Sequence, residues 1–353
     1  MQLSDQRIQA FSSLGIFIKD YLNAVRNKGF EGLDYRFDHI DRAVQKAKAT
    51  NLWFTDESIQ LALAAIVSML DEKQLKDWTD IYRIKENSEP KIVGVILAGN
   101  IPIVGFHDFL CVIMSGNLFL GKLSSDDAYL LPALADELIL IEPGLKQYIR
   151  FTKALMKKFD AIIATGSDNT SRYFEYYFGR YPNIIRKNRN SIAILNGSEN
   201  EEDILLLAQD IFTYFGLGCR NVSQLFLPLG FELPFLMKSF DGWSSYMHHH
   251  KYFNNYEYNK AVFLVNRIPH FDNGFAILKE DIGFSSPISV VHYHFYEEYE
   301  SLSNLLILNR EKIQAVVSKD AWWPESIAFG KTQHPNVIDY ADGIDTMAFL
   351  TSL

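Results

Sequence analysis

At 353 residues the chain is long enough for two domains of ordinary size, and 48% hydrophobic with 22% charged residues excludes a disordered polymer. A formal net charge of −9 with no dense Lys/Arg run argues against a nucleic-acid partner. Two cysteines exclude a disulfide framework; a polar N-terminus and the lack of a run of ~18–20 apolar residues make a cytoplasmic protein without a membrane span the expectation.

Residues up to about Tyr82 read as helices, among them 58–70, where apolar residues recur on a helical period and Asp56 or Ser58 stands as N-cap. Residues 83–90 are polar and read as a linker. From Lys91 the pattern becomes an alternation of strands and helices. A β-branched run at 92–98 predicts a buried strand, Gly99-Asn100-Ile101-Pro102 a turn, and 103–115 a helix. A strand at 118–123, a helix at 126–141, a strand at 160–164, a turn at Thr165-Gly166-Ser167, a helix at 168–178 and a fourth strand at 191–195 follow. Such alternation implies a mainly parallel sheet covered by helices. Ligands of such sheets bind beyond the carboxyl ends of the strands, which singles out the turns at Asn100, Ser124 and Gly166 for a nucleotide. A second α/β region follows, with a helix at 201–214, a break at Gly216-Leu217-Gly218 and strands at 222–227, 275–278, 288–293 and 313–317. Residues 243–269 read as helix with loops, and 297–308 as a helix.

The segment Phe215-Gly216-Leu217-Gly218-Cys219-Arg220-Asn221-Val222 places a cysteine one residue after a Gly-x-Gly hinge, between a helix and a strand. Glycines allow backbone angles that other residues avoid, and Arg220 adds local positive charge, so Cys219 fits a nucleophile. It equally fits a cysteine packed as a small hydrophobe. Cys111, inside the apolar helical run Phe109-Leu110-Cys111-Val112-Ile113, reads as core. The run His248-His249-His250 invites a metal, but adjacent side chains diverge and no second ligand cluster accompanies it; exposed histidines and no metal site are expected.

Residues 215–222 resemble the catalytic-cysteine motif of the aldehyde dehydrogenase superfamily. Four further segments resemble that superfamily in the same order. They are Gly99-Asn100-Ile101-Pro102; Ser115-Gly116-Asn117 with Gly121-Lys122-Leu123-Ser124-Ser125; Ala164-Thr165-Gly166-Ser167; and Glu280-Asp281-Ile282-Gly283-Phe284 with Pro287. The chain is short for the superfamily, and within it is most similar to the LuxC-type fatty acyl-CoA reductases. The segments Phe329-Gly330-Lys331-Thr332-Gln333-His334-Pro335 and Asp339-Tyr340-Ala341-Asp342-Gly343 resemble that branch in particular.

The resemblance implies an α/β aldehyde dehydrogenase-like fold. It would comprise a helical region over 1–90, a Rossmann-like nucleotide-binding domain over 91–196, a catalytic α/β domain over 197–325 and a tail over 326–353 that returns to the nucleotide-binding domain. It implies reduction of an acyl-CoA, expected to be a fatty acyl-CoA, to the aldehyde through an acyl-Cys219 thioester, with the Asn100 amide and the Cys219 N–H as oxyanion donors. Lys122, Ser124 and Ser125 would meet the adenosine ribose, Gly166 and Ser167 the pyrophosphate or nicotinamide side, and Glu280, with Asp281 competing, the nicotinamide ribose. The superfamily's ribose-binding glutamate falls at Ser125, which leaves room for a 2′-phosphate and favours NADPH over NADH; Asp126 and Asp127 read instead as charges at a helix N-terminus. The glutamate that hydrolytic members use to release the acyl group falls at Arg186, in the basic run Arg186-Lys187-Asn188-Arg189-Asn190, read as a solvated loop, with contact of Arg186, Lys187 and Arg189 to CoA phosphates as the alternative. Its absence favours acyl transfer and reduction. An acyl-phosphate or carrier-protein thioester as donor, or an inactive scaffold, are the alternatives. A homodimer or homotetramer and a downstream aldehyde-consuming enzyme are the expected partners. Phe174, Tyr176, Tyr177, Trp322 and Trp323 fit either the lining of an apolar tunnel or the core, and the core reading is preferred.

Overall fold

Four helices open the chain: α1 (Leu3–Lys28), α2 (Asp38–Thr50), α3 (Asp56–Met69) and α4 (Glu72–Tyr82). The computed structural model describes residues 3–29, 33–82, 84, 89–166 and 168–353, so most of the expected linker lies outside it. In α2 the residues Ile40, Ala43, Val44 and Ala47 recur at helical spacing and are all buried. The cap of α3 is Thr55, not Asp56 or Ser58. Thr55 keeps an extended backbone, which lets its hydroxyl accept the Ser58 N–H at 3.2 Å, whereas Asp56 is already inside the helix.

The alternation that follows runs β1 (Ile92–Ile96), α5 (Phe106–Met114), β2 (Leu118–Lys122), α6 (Leu130–Ile141), β3 (Ile149–Thr152), β4 (Ala161–Thr165), α7 (Asp168–Phe178) and β5 (Asn183–Arg186). Its five strands form a parallel sheet in the order β3-β2-β1-β4-β5. The strands β3 and β5 carry no legible run in the sequence, because as edge strands of four residues each they include Arg150 and Arg186. Helix α5 begins later than expected because Ile103 has φ +57°, a left-handed angle that no α-helix continues.

The second half of the chain gives β6 (Asn190–Ile194), α8 (Glu201–Phe212), β7 (Val222–Pro228), α9 (Leu233–Ser239), α10 (His250–Val265), β8 (Phe271–Asp272), β9 (Ile277–Glu280), β10 (Val290–Tyr296), α11 (Tyr299–Leu308), β11 (Ile313–Ser318) and β12 (Ile327–Ala328). They build a seven-stranded sheet in the order β12-β11-β6-β7-β10-β9-β8, parallel except for the β8–β9 pair. Here the structure corrects the sequence reading: β6, taken from the alternation as the fourth strand of the first sheet, lies between β11 and β7 of the second. Its Ile192, Ala193 and Ile194 are fully buried. A continuous apolar run marks a central strand but does not say which sheet it is central to.

The chain accordingly divides into two compact units, residues 1–188 with 335–353, and residues 189–334, with the break before β6 rather than after residue 196. The last helix, α12 (Thr346–Thr351), belongs to the first unit. Tyr340 fastens this returning tail: its hydroxyl accepts the Trp78 indole N–H at 2.7 Å and lies 2.7 Å from that of Tyr82, which donates to Asp345 at 2.9 Å. Arg186 is not in a solvated loop. It sits on β5 at 4% exposure and donates to both oxygens of Asp108 at 2.7 and 2.9 Å and to the Thr346 hydroxyl at 2.9 Å. A buried guanidinium requires such partners, and its two-pronged geometry suits one carboxylate. Lys187 next to it is exposed and pairs with Glu175.

Candidate active site

In the first unit the chain passes from β1 to β2 on one side of the sheet and returns to β4 on the other, so the topological switch point lies between β1 and β4. Lys122 of β2, Ile96 of β1 and Ala164 of β4 share one register at the carboxyl edge. The turns that follow carry Asn100, Ser124, Ser125 and Gly166, which this edge therefore brings together; Ser167 lies outside the described residues. Asn100 and Ser125 are exposed, and Lys122, Ser124 and Gly166 half-buried.

The Asn100 turn is built from outside its own sequence. The Asn51 amide, buried at the end of α2, donates to the Gly99 carbonyl at 3.3 Å while its oxygen accepts the Trp53 N–H at 3.1 Å. At the other end, Asp127 accepts the N–H of the left-handed Ile103 at 2.7 Å. Gly99 is needed for closeness rather than flexibility, because a Cβ there would come within 2.6 Å of Ser124 Oγ. Burial pushes the Asp127 carboxyl up to about 6, against the pull of the Ile103 and Leu130 N–H groups. Asp127 is thus occupied in holding the turn at Ile103, while Asp126 beside it is exposed. A lysine at the strand edge, two serines and a glycine turn at the switch point suit a dinucleotide, the buried Asp127 carboxylate being turned to Ile103; Lys122 and Ser124 would hold its ribose and Gly166 its phosphates.

In the second unit, helix α8 begins with a reciprocal cap between Asn200 and Asp203 and ends at Phe212. The chain then turns through three consecutive left-handed residues, Tyr214, Phe215 and Gly216, with φ of 55°, 59° and 74°. Of the two glycines in the hinge, Gly216 uses a positive φ; the rest of that conformation falls on aromatic residues, where it costs roughly 1–2 kcal/mol each. Packing offsets that cost, since the Phe215 ring lies 4.3 Å from Tyr246 and 4.4 Å from His249. His249 is therefore not one of three exposed histidines: it is half-buried and caps α10, its ring accepting the Tyr252 N–H. Among the described residues no cluster of His, Cys, Asp or Glu has metal-binding geometry.

Cys219 follows this turn, half-buried and not disulfide-bonded, just before β7. Its carbonyl accepts the Ser191 hydroxyl at 3.1 Å. Asn221, 3% exposed, takes the Gly218 N–H on its side-chain oxygen at 2.8 Å and donates its amide to the carbonyls of Asp210, Ile211 and Thr213 at 3.1, 3.3 and 2.8 Å. The Gly218 carbonyl accepts the Asn221 N–H at 3.0 Å and closes the turn around the cysteine. The Asp210 side chain reaches the other way, accepting the Gly330 N–H at 2.7 Å and the Thr332 N–H and hydroxyl at 3.1 and 2.7 Å. Part of the branch-like 329–335 segment thus locks onto the helix that leads to Cys219. Burial pushes the Asp210 carboxyl up to about 6, opposed by the Thr332 and Gly330 donors. A cavity of about 50 Å³ lies against the turn, bordered by Gly216, Gly218, Asn221, Tyr252 and Ser289. It has room for a few waters.

Glu280 is exposed at the end of β9 and, through β10, level with Leu225, well along β7 from Cys219. Asp281 is committed to Lys279 at 2.6 Å and the Gly283 N–H at 2.8 Å, which hold its carboxyl below the usual range. His334 is exposed. Tyr176 and Tyr177 of α7 are exposed too, contrary to the core reading, whereas Trp323 is buried. Asn51, Asp127, Ser191, Asp210 and Asn221 were not legible as site builders; Asn221 and Asp127 stood inside or beside recognisable motifs, but Asn51 has no signal, since its partner is 48 positions away.

Two parallel-sheet units, one ending in a nucleotide-type switch point and one carrying a cysteine before its strand, are the architecture of the aldehyde dehydrogenases. Such an enzyme from Mycobacterium tuberculosis, solved with NAD+, matches with a TM-score of 0.62 at 11% identity over 90% of this chain and 73% of that one. Another from Bacillus cereus, also an NAD+ complex, matches with a TM-score of 0.61 at 13% identity over 90% and 72%. At these identities the likeness speaks for the fold alone. The model of the Acyl-CoA reductase (LuxC) family matches residues 36–229, more than half of the chain, and the chain belongs to that family. A curated relative, the long-chain acyl-protein thioester reductase of Aliivibrio fischeri, is 23% identical over 223 residues, 54% of this chain and 46% of the relative. The matched region thus spans about half of that relative's length. Among the described residues, no helix is long and apolar enough to cross a membrane.

Proposed function

We propose that the protein reduces an acyl thioester to the aldehyde through an acyl-Cys219 intermediate. The observation that carries this reading is the half-buried Cys219 at the end of a strained, hydrogen-bonded turn, within the residues matched by the family model. The Cys219 thiolate adds to the acyl carbonyl carbon, and the tetrahedral adduct collapses to an enzyme thioester as the donor thiolate leaves. The Asn100 amide and the Cys219 N–H are assigned to the oxygen on which negative charge develops. A reduced nicotinamide would supply the hydride when bound; Lys122, Ser124 and Gly166 would hold its nucleotide, and Glu280, the carboxylate to which the resemblance points, its nicotinamide ribose. The resulting thiohemiacetal on Cys219 releases aldehyde and regenerates the thiolate. NADPH is the preferred form, because Ser125 stands where a carboxylate would exclude a 2′-phosphate and Asp127 is occupied elsewhere. No carboxylate occurs at 186–190 to drive hydrolysis, which supports reduction over oxidation to the acid.

A fatty acyl-CoA is the proposed donor: the family's description names an acyl-CoA, and the name of the Aliivibrio fischeri relative a long-chain acyl group. A protein-borne acyl thioester is the second reading, favoured by the printed activity of the Aliivibrio fischeri relative. Intact mass after incubation with long-chain acyl-CoA and no reductant tests both. An acyl adduct that is lost in Cys219→Ser establishes nucleophile and donor, and NADPH is then expected to discharge it faster than NADH. If folded protein gains no adduct across several chain lengths, acyl-CoA is not the donor, and acylated carrier protein is the substrate to try.

A further inference from the structure

We propose that Asn221 is a positioning residue for Cys219, acting with Ser191 on the two peptide groups that flank the nucleophile. The idea rests on Cys219 being the nucleophile, and adds how its turn is held in a reactive state. The Gly218 carbonyl accepts the Asn221 backbone N–H, and the Cys219 carbonyl accepts the Ser191 hydroxyl. The peptides on both sides of Cys219 are therefore fixed by groups that are themselves buried, Ser191 at 0% and Asn221 at 3% exposure. That rigidity orients the Cys219 N–H, the group assigned to the oxyanion.

Asn221 also acts electrostatically. Cys219 lies beyond the C-terminal end of α8, where unpaired carbonyls carry the negative end of the helix dipole and oppose a thiolate. The Asn221 amide donates to the carbonyls of Asp210, Ile211 and Thr213 at that end. A neutral side chain thereby ties down the negative pole and spends its own acceptor on the Gly218 N–H. The titratable groups around the turn are Arg220, next to Cys219 in the chain, the Asp210 carboxyl, which is turned to Gly330 and Thr332, His249 against the Phe215 ring, and the buried Tyr214 and Tyr252.

The test uses Asn221→Asp and Ser191→Ala in the full chain, with the pH profile of Cys219 alkylation by iodoacetamide as readout. Cys111 is fully buried and does not contribute in folded protein. Asn221→Asp is nearly isosteric and keeps the acceptor for Gly218, but replaces the amide donor by a charge. We expect its alkylation midpoint to rise by about one pH unit, with a rate near neutrality lowered about tenfold. Ser191→Ala is expected to lower kcat several-fold with KM for the acyl donor unchanged. Folded variants that both keep the wild-type alkylation profile and kcat overturn the proposal. If Asn221→Asp does not fold, Asn221→Ser, which also removes the amide donor, takes its place in the same alkylation assay, and an unshifted profile there overturns the proposal. Alkylation needs no acyl donor, so a failure here is distinct from the absence of an acyl adduct on wild-type protein, which would count against the proposed function.

Discussion

Cys111 sits in the middle of α5, fully buried among Phe109, Leu110, Val112 and Ile113, and burial, with the Asp108 carboxylate nearby, pushes its thiol well up. Cys219 sits half-exposed after a left-handed turn whose peptides are tied to Ser191 and Asn221. The two segments hold the same side chain, and the difference between them lies in the backbone. A regular helix satisfies its own hydrogen bonds and needs nothing from Cys111 but volume. An irregular turn leaves donors and acceptors that must be met by buried polar side chains, and that polar frame makes an exposed thiol placeable. The reactivity we propose for Cys219 is accordingly assigned to the scaffold around the cysteine.

The strongest test of that contrast is exchange of the two thiols one at a time. Cys219→Ser is expected to lower the rate of acyl-adduct formation by about 10⁴-fold or more, the scale of losing a nucleophile, and Cys111→Ala to leave it near wild type. Equal losses from both in folded protein would erase the distinction. The next effect is on stability. Asp108→Ala leaves the Arg186 guanidinium buried without its carboxylate, so urea denaturation should show a loss of about 3–5 kcal/mol. Alkylation of Cys219, in the other unit, should stay at its wild-type rate in that variant under native conditions. A change in that rate would mean that the two units report on each other.

The smallest effect is on pH dependence. Each unit holds one carboxyl raised to about 6, Asp127 in the first and Asp210 in the second. Between the unfolded value near 4 and about 6 the folded protein keeps a proton that the unfolded chain has released, so the stability these groups contribute is full below pH 4 and lost as pH rises through 6. Denaturation measured at pH 4.5 and 7 should show this loss, of about 2 kcal/mol per group, and Asp210→Asn should remove the share of the second unit. An unchanged pH dependence in that variant would mean that the donors from Gly330 and Thr332 already hold Asp210 ionised.

By itself the sequence determined the existence of most strands and helices, the two-region α/β organisation and the family, because these depend on local periodicity and on short motifs. The hinge before Cys219 was legible as two glycines, although two of its three left-handed residues are Tyr214 and Phe215. Only the tertiary structure decided that β6 belongs to the second sheet, since strand pairing depends on partners more than twenty residues away, such as Val222 of β7 and Ile313 of β11. Likewise it alone turned Arg186 from a loop cation into a buried ion-pair partner of Asp108, and brought Asn51 to the Gly99 carbonyl. Polar residues carry no period that announces a partner. Their roles follow from which backbone groups folding leaves unpaired in the interior, and that is settled only once the sheets have closed.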